Sequence, residues 1–117
     1  MEEHQALNAF GALSQQTRLR MVRTLVVAGP DGLAAGAVGA AVRASSSSAS
    51  FHLSHLERAG LITSRREARS IIYCANYDGL AGLIAFLMED CCQGRPEICA
   101  PAAQTAANCR VPTSAAS

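Results

Sequence analysis

The chain has 117 residues, half of them apolar, and a formal net charge of +1. This length suits one domain with a modest core, and domains of this size often gain stability by dimerising. No apolar run approaches the roughly 18 residues of a membrane span, which argues against an integral membrane protein. The start at residues 1 to 5 is acidic and polar and lacks a signal-peptide pattern. We therefore expect a soluble, cytoplasmic protein.

The charges are distributed unevenly. Every basic residue is Arg, and residues 43 to 75 hold five Arg against two Glu, which is net +3. Residues 76 to 97 hold one Arg against four acidic residues, which is net −3. The sequence thus predicts a basic surface suited to nucleic acid, followed by an acidic distal helix.

Two helices are predicted at the start of the chain. The first covers residues 3 to 12, with Leu7 and Phe10 apolar at i and i+3 and Gly11 as its end. Ser14 is expected to cap the second, which ends at the turn of residues 29 to 32. The buried stripe of the second helix is expected to be Leu19, Val22, Leu25 and Val26. Its arginines, expected to point largely outward, are Arg18, Arg20 and Arg23.

A helix-turn-helix is predicted next. Residues 33 to 42 form a third helix of low intrinsic stability, since Gly36 and Gly39 each cost on the order of 1 kcal/mol relative to Ala. Residues 43 to 45 form the turn. The following helix starts near Ser45 and stops at Gly60. Its apolar residues recur at the spacing of a buried stripe, and they are Ala49, Leu53, Leu56 and Ala59.

The opposite face of this fourth helix is rich in small hydroxyl and imidazole groups. A solvated face usually carries Glu, Lys and Gln, whereas short Ser side chains with His suit close approach to base edges and phosphates. The residues expected to face DNA are Ser47, Ser48, Ser50, Phe51, His52, Ser54 and His55. A merely solvated helix face, or zinc binding by the two histidines at i and i+3, are the alternatives.

A β-hairpin follows the fourth helix. Residues 61 to 63 and 70 to 74 are predicted strands, joined by a tip from Arg65 to Arg69. The tip carries three arginines, Arg65, Arg66 and Arg69. Such a hairpin is a wing, which lays guanidinium groups beside a minor-groove backbone while the helix occupies the major groove. Cys74, on the second strand, is expected to be a small core residue.

Asp78 is expected to cap a last helix over residues 79 to 93. Its apolar stripe is Leu80, Leu83, Ile84, Leu87 and Cys91. Phe86 and Met88 make much of the remaining circumference apolar, so the helix needs a partner on more than one side. We divide the chain into a folded domain, residues 1 to 94, and a flexible tail, residues 95 to 117, which carries Cys99 and Cys109.

Three stretches have the spacing of a known family. They are Ser50-x-His52-Leu53-x-x-Leu56-x-x-Ala59-Gly60-Leu61-Ile62, Arg65-Arg66-Glu67-x-Arg69 with Ile72-Tyr73, and Ala12-Leu13-Ser14-x-x-Thr17-Arg18-Leu19. Over residues 5 to 92 they resemble the recognition helix, wing and second helix of the ArsR/SmtB family of metal-responsive repressors. This chain departs from the family pattern with Gln15-Gln16 in place of Asp-Pro and Ala68 in place of Gly at the wing tip.

The resemblance implies a mainly α fold with a small β-hairpin (α+β), a winged helix-turn-helix that dimerises through its first and last helices. The implied function is that of a transcriptional repressor, not an enzyme. Two symmetric recognition helices entering successive major grooves predict an operator that is an inverted repeat.

The cysteines suggest the inducer. There are five, Cys74, Cys91, Cys92, Cys99 and Cys109, an odd number crowded toward the C-terminus. In a reducing cytoplasm they are thiols, which points to soft-metal ligation or redox chemistry. Three thiolates from a short segment suit As(III) or Sb(III), whereas a structural zinc site uses four ligands.

Resemblance to the arsenite-sensing ArsR branch implies that Cys91, Cys92 and Cys99 are the ligands, with Cys109 as a spare. Two competing functions remain at this point. One is a thiol-redox repressor of the same fold, and the other is a small dithiol enzyme similar to an arsenate reductase.

Overall fold

A computed structural model of the protein describes residues 1–89. Over this range the chain forms five helices and a three-stranded antiparallel sheet of strand order β1-β3-β2. In chain order the elements are α1 Glu3–Leu13, α2 Gln16–Ala28, β1 Leu33–Ala34, α3 Ala35–Ala41, α4 Ser46–Arg58, β2 Ile62–Glu67, β3 Ser70–Ala75 and α5 Tyr77–Met88. This arrangement confirms the predicted α+β winged helix-turn-helix.

Helix α1 turns small residues toward the core. Its buried residues are Ala6, Ala9 and Ala12. Leu7 and Phe10 instead lie on the outer surface, 63% and 38% exposed. Because alanines bring helix backbones close together, α1 packs against α2 and α4 mainly through these small residues, with Leu13 half-buried at its end.

Helix α2 begins one residue later than a Ser14 cap requires. Gln15 is the N-cap, and its side-chain Oε1 accepts a hydrogen bond from the Arg18 backbone N at 2.9 Å. Ser14 closes α1 instead, its Oγ donating to the Gly11 carbonyl at 2.8 Å, so the predicted cap is wrong. The buried residues of α2 are Met21, Val22 and Leu25. Leu19, expected in this stripe, is 45% exposed.

The predicted third helix is two residues too long at its start. Leu33 and Ala34 pair with Tyr73 and Ile72 of β3 and form the third strand of the sheet. Gly32 permits this pairing because it has a φ of +70°, and a Cβ atom there would lie 2.7 Å from Cys74 Sγ. A strand of two residues is too short for its alternation to be recognised in the sequence.

Helices α3 and α4 form the predicted helix-turn-helix, with Arg43 in the turn at a φ of +57°. Ser45 caps α4, its Oγ accepting from the Ser48 backbone N at 3.2 Å. As predicted, α4 buries Ala49, Leu53 and Leu56, and Gly60 follows its end, but Ala59, predicted in the same stripe, is the C-cap and only half-buried. Gly39 of α3 fits against Ala49, since a Cβ on Gly39 would lie 3.1 Å from the Ala49 Cβ. The glycine that weakens α3 therefore allows close packing on α4.

The wing strands extend further than predicted. β2 reaches Glu67, which pairs with Ser70, so the tip is only Ala68 and Arg69 rather than residues 65 to 69. Ala68 adopts a φ of +54°, the backbone region that favours glycine. Arg65 and Arg66 consequently lie on a regular strand, where neighbouring side chains point to opposite faces of the sheet.

Helix α5 starts at Tyr77 and is capped by Asn76, whose Oδ1 accepts from the Gly79 backbone N at 3.1 Å; the Asp78 cap is therefore wrong. Within the described residues the helix runs to Met88, and the predicted end at residue 93 lies outside them. Leu83 is its buried residue, while Ile84 and Leu87 are 38% and 60% exposed. No helix in residues 1–89 is long and apolar enough to cross a membrane. The proposed domain boundary at residue 94 and the tail lie outside the described range.

Candidate nucleic-acid interface

The outward face of α4 is polar and carries no acidic residue from Ser45 to Leu56. Ser47, Ser50 and Ser54 are exposed, and Ser48, His52 and His55 are half-buried. Phe51 is 62% exposed, and its ring meets that of His52 edge to face at a centroid distance of 5.5 Å. Short hydroxyls let a helix approach base edges closely, and an exposed aromatic ring can contact a thymine methyl group.

Arg18 is held in place rather than extended into solvent as predicted. Its Nε donates to the Ala12 carbonyl at the end of α1 at 2.8 Å, and its Nη1 lies 3.2 Å from Nδ1 of His52. A guanidinium only donates, so Nδ1 accepts and the imidazole proton is on Nε2. Arg18 thus joins the end of α1 to the recognition helix and selects one tautomer of His52.

Both histidines on α4 have a pKa below the ordinary value. Burial lowers the pKa of His52, and the positive charge of Arg18 lowers it further. Burial is also the main cause for His55, where Arg18, Arg58 and His52 add to the lowering of the pKa. Both rings are therefore neutral near pH 7, when each offers one donor and one acceptor. Within residues 1–89 no group of three His, Cys, Asp or Glu is placed to hold a metal ion.

The arginines of the wing have different surroundings. Arg66 and Arg69 are exposed, and neither makes a side-chain hydrogen bond or ion pair within residues 1–89. Arg65 is bound to other groups of the protein, with Nε donating to Glu67 Oε2 at 2.6 Å and Nη2 donating to the Asp31 carbonyl at 2.8 Å. The structure thus leaves two of the three predicted wing arginines free to contact a partner.

Cys74 belongs to the surroundings of Arg65 and not to the core. It is half-buried, and its Sγ accepts from Arg65 Nη1 at 3.0 Å and donates to the Pro30 carbonyl at 3.4 Å. The expectation of a small core residue is therefore wrong. The sequence placed Cys74 on the second strand of the hairpin, but it did not reveal that an arginine covers that side of the sheet.

Two polar contacts join the recognition helix and the turn after it to the wing and the start of α5. Ser64 of β2 donates from Oγ to Glu57 Oε2 at 2.6 Å, and Asn76 donates from Nδ2 to the Gly60 carbonyl at 2.9 Å. The pKa of Tyr73 is raised by burial and by the negative charge of Glu57. These contacts fix the wing base beside α4. Sequence reasoning missed them because they join residues that no periodic pattern relates.

The predicted metalloid ligands, Cys91, Cys92 and Cys99, lie outside the described residues, as does Cys109.

Comparison with known proteins identifies relatives of this chain. A family model described as a helix-turn-helix domain matches residues 13–65. An uncharacterized HTH-type transcriptional regulator, YceK of Bacillus subtilis (strain 168), is 39% identical over 61 residues, which are 52% of this chain and 60% of the relative. The chain therefore matches less than two thirds of the length of that curated relative.

Solved structures match this chain over a longer range than the family model or the curated relative does. The homodimeric winged helix-turn-helix DNA-binding domain of Mb0332 from Mycobacterium bovis, a possible ArsR-family transcriptional regulator, has a TM-score of 0.61 and 27% identity, covering 73% of this chain and 76% of that one. The crystal structure of a possible transcriptional regulator for arsenical resistance has a TM-score of 0.61 and 32% identity, covering 68% and 80%. Both are described as possible transcriptional regulators, the class of protein expected for this chain. The chain belongs to the ArsR-type winged helix-turn-helix transcriptional regulators.

Proposed function

We propose that the protein is a cytoplasmic transcriptional repressor that binds operator DNA as a homodimer and is released when As(III) or Sb(III) binds Cys91, Cys92 and Cys99. The observation that carries the DNA-binding part is the exposed face of α4, which has no acidic residue from Ser45 to Leu56, beside a wing with two unpaired arginines. A helix about 10 to 12 Å wide matches the major groove, and arginines suit the adjacent phosphates.

Within this proposal the two elements have different roles. The Ser, Phe and His side chains of α4 contact base edges and therefore carry the sequence preference. Arg66 and Arg69 on the wing neutralise phosphates, which stabilises binding to any sequence and makes it salt-dependent. Neutral His52 can donate to a base edge from Nε2, since Arg18 occupies its Nδ1, whereas neutral His55 can donate or accept.

The dimer is supported by apolar side chains left on the surface of α1 and α5. Leu7 and Phe10 on α1, and Ile84 and Leu87 on α5, are 38% to 63% exposed although the two helices contact each other. Two copies related by a two-fold axis would cover this surface. The related Mb0332 domain is a homodimer. Two recognition helices about 34 Å apart would then read an inverted repeat.

The arsenite part rests on the chemistry of the three thiols. Cys91 and Cys92 follow three and four residues after the end of α5 at Met88. Thiolates are the soft ligands that a trivalent metalloid prefers, and three of them match its coordination number. An ion held just beyond α5 would favour a different geometry of the dimer helix. Such coupling between sites is typically worth about 1 to 3 kcal/mol, or ~5- to 150-fold in DNA affinity.

A selection experiment tests this function and itself identifies the operator. The full chain is used to select duplexes from a random DNA library under reducing conditions, and the enriched sequences are determined. We expect an inverted repeat with half-sites one helical turn apart. Retention on the enriched duplex should then fall on addition of arsenite. Enrichment of no sequence would contradict the repressor, and release by an oxidant but not by arsenite would favour the thiol-redox repressor.

A further inference from the structure

We propose that Arg65 is a positioning residue, which fastens the wing to the turn between α2 and β1 and so sets how Arg66 and Arg69 meet the DNA backbone. This inference rests on the proposed DNA-binding function. It changes the expectation from the sequence, in which Arg65 was one of three equivalent phosphate contacts.

The guanidinium of Arg65 is already occupied by groups of the protein. Its Nη1 donates to the Pro30 carbonyl at 3.3 Å and to Cys74 Sγ at 3.0 Å, and its Nη2 donates to the Asp31 carbonyl at 2.8 Å. Its Nε donates to Glu67 at 2.6 Å. All three nitrogens therefore have acceptors and four of the five N–H donors are used, so a phosphate that binds the guanidinium through two hydrogen bonds would have to displace one of these acceptors.

These bonds cross the sheet. Arg65 lies on the edge strand β2, opposite Ile72 of the central strand β3, while Pro30 and Asp31 precede β1 at the other edge. The Arg65 side chain therefore passes over β3 to join the two sides of the sheet. The turn of residues 29 to 32 can lie against β3 because Gly32 has no Cβ that would clash with Cys74 Sγ. This brings the Pro30 and Asp31 carbonyls within reach of Arg65.

The wing needs such an anchor because little of it is packed. In β2 only Ile62 is buried, and every residue from Thr63 to Glu67 is exposed. Apolar packing thus fixes the base of the hairpin but not the direction of its outer half. The ion pair with Glu67 joins two exposed groups and contributes little by itself. Among the bonds of Arg65, those to the two carbonyls reach outside the hairpin, and they lie nearer its tip than the bond from Ser64 to Glu57 of α4.

Alternation along β2 separates Arg65 from Arg66. Arg65 shares its face with Ile72 and Cys74, whereas Arg66, opposite Ile71, points to the other face. Anchoring by one arginine therefore leaves the next free for DNA. Lysine cannot replace Arg65 in this role, because a single ammonium cannot reach the carbonyls, the thiol and the carboxylate together.

The test is a double-mutant cycle that separates positioning from direct contact. Arg65→Lys and Arg65→Gln are made in the wild-type protein and in an Arg66→Ala/Arg69→Ala background, with Arg23→Gln as a matched loss of one surface charge. Binding to a fluorescein-labelled duplex of random sequence is measured by anisotropy over a salt series, well below each variant's Tm. Amide hydrogen exchange of β2 and β3 is measured without DNA.

We expect Arg65→Lys to weaken binding as much as Arg65→Gln, comparably to Arg66→Ala, and to speed exchange in the wing. In the double-variant background neither should weaken binding further, and Arg23→Gln should leave wing exchange unchanged. Direct phosphate contact would be indicated if Arg65→Lys binds like wild type while Arg65→Gln lowers the salt slope by about one unit in both backgrounds. That result would overturn the proposal.

The two proposals fail separately. If the wild-type protein binds no duplex, the proposed function is wrong, whereas faster exchange in Arg65→Lys would still show that Arg65 anchors the wing. Unchanged exchange in both Arg65 variants would overturn the anchor whether or not DNA is bound.

Discussion

The recognition helix and the wing are held in place by different means. Helix α4 buries Ala49, Leu53 and Leu56 along one side, so the core fixes its orientation and the exposed Ser and Phe side chains of its other side are available for DNA. Strand β2 buries only Ile62, and polar bonds from Arg65 hold its outer half. An element with one side in the core can devote the other side to recognition, whereas a wing without such a side needs some of its polar groups for anchoring.

The largest effect should follow from changing the turn beneath the wing. Gly32→Ala places a methyl group within contact of β3 and forces a φ of +70° on a residue with a Cβ. We expect a loss of about 2 kcal/mol or more in the free energy of unfolding, measured by urea denaturation. Gly36→Ala is the matched control, because a Cβ added there would meet nothing within 4 Å and the residue is helical. It should be neutral or stabilise by up to about 1 kcal/mol. Equal stability of the two variants would contradict the role given to Gly32.

Substitutions on the recognition helix should alter specificity. Ser50→Ala or His55→Ala removes a group that the proposal places against base edges, so discrimination among operator variants should fall by about 1 to 3 kcal/mol at the contacted position. Affinity for random DNA should change little. The measurement is the ratio of operator to random-duplex Kd. An equal loss on both DNAs would mean that these side chains contact only the backbone.

Substitutions on the wing should lower the affinity for DNA of any sequence and leave the sequence preference unchanged. Arg66→Ala or Arg69→Ala should weaken binding to operator and random DNA alike, because each removes one phosphate contact. The slope of log K against log salt should flatten by roughly one unit for each substitution. A change in sequence preference without a change in slope would contradict the separation between helix and wing.

A smaller effect, on the free energy of unfolding, should appear as the pH falls. The pKa of His52 is lowered from its ordinary value of 6.5 by burial and by Arg18, so the unfolded chain binds more protons than the folded one just below pH 6.5. The contribution of neutral His52 to the free energy of unfolding is therefore complete above pH 6.5. It is lost as the pH decreases toward the lowered pKa of His52. His52→Asn keeps an acceptor for Arg18 but does not titrate. Its loss of stability between pH 7.5 and 5.5, measured by urea denaturation, should be smaller than that of wild type.

The same contrast explains what could be predicted from the sequence. Three of the four predicted stripe residues of α4 are buried, all but Ala59, and the helix ends just before Gly60 as its sequence indicates. The existence of the hairpin was also predictable. Its anchoring was not, because the bonds from Arg65 reach residues more than 30 positions earlier in the chain. Arg18 was placed outward for the same reason, since its partner His52 lies 34 residues away.

Local competition accounts for the remaining differences. Ser14 and Gln15 can both cap a helix, and the structure uses Ser14 to end α1 and Gln15 to begin α2. Leu33 and Ala34 fit a helix pattern, yet the free edge of β3 offers them backbone hydrogen bonds. In both cases a neighbouring element decided between two locally acceptable conformations.

The central claim, release from DNA by a metalloid, is tested most directly by operator affinity with and without arsenite. Fluorescence anisotropy is measured under reductant for wild type, for Cys91→Ser/Cys92→Ser and for the control Cys109→Ser. We predict that all three bind operator with similar affinity, and that arsenite releases wild type and Cys109→Ser, weakening their binding by ~5- to 150-fold. The Cys91→Ser/Cys92→Ser variant should stay bound. Its normal release on arsenite addition would contradict the assigned thiol site while leaving the DNA interface intact.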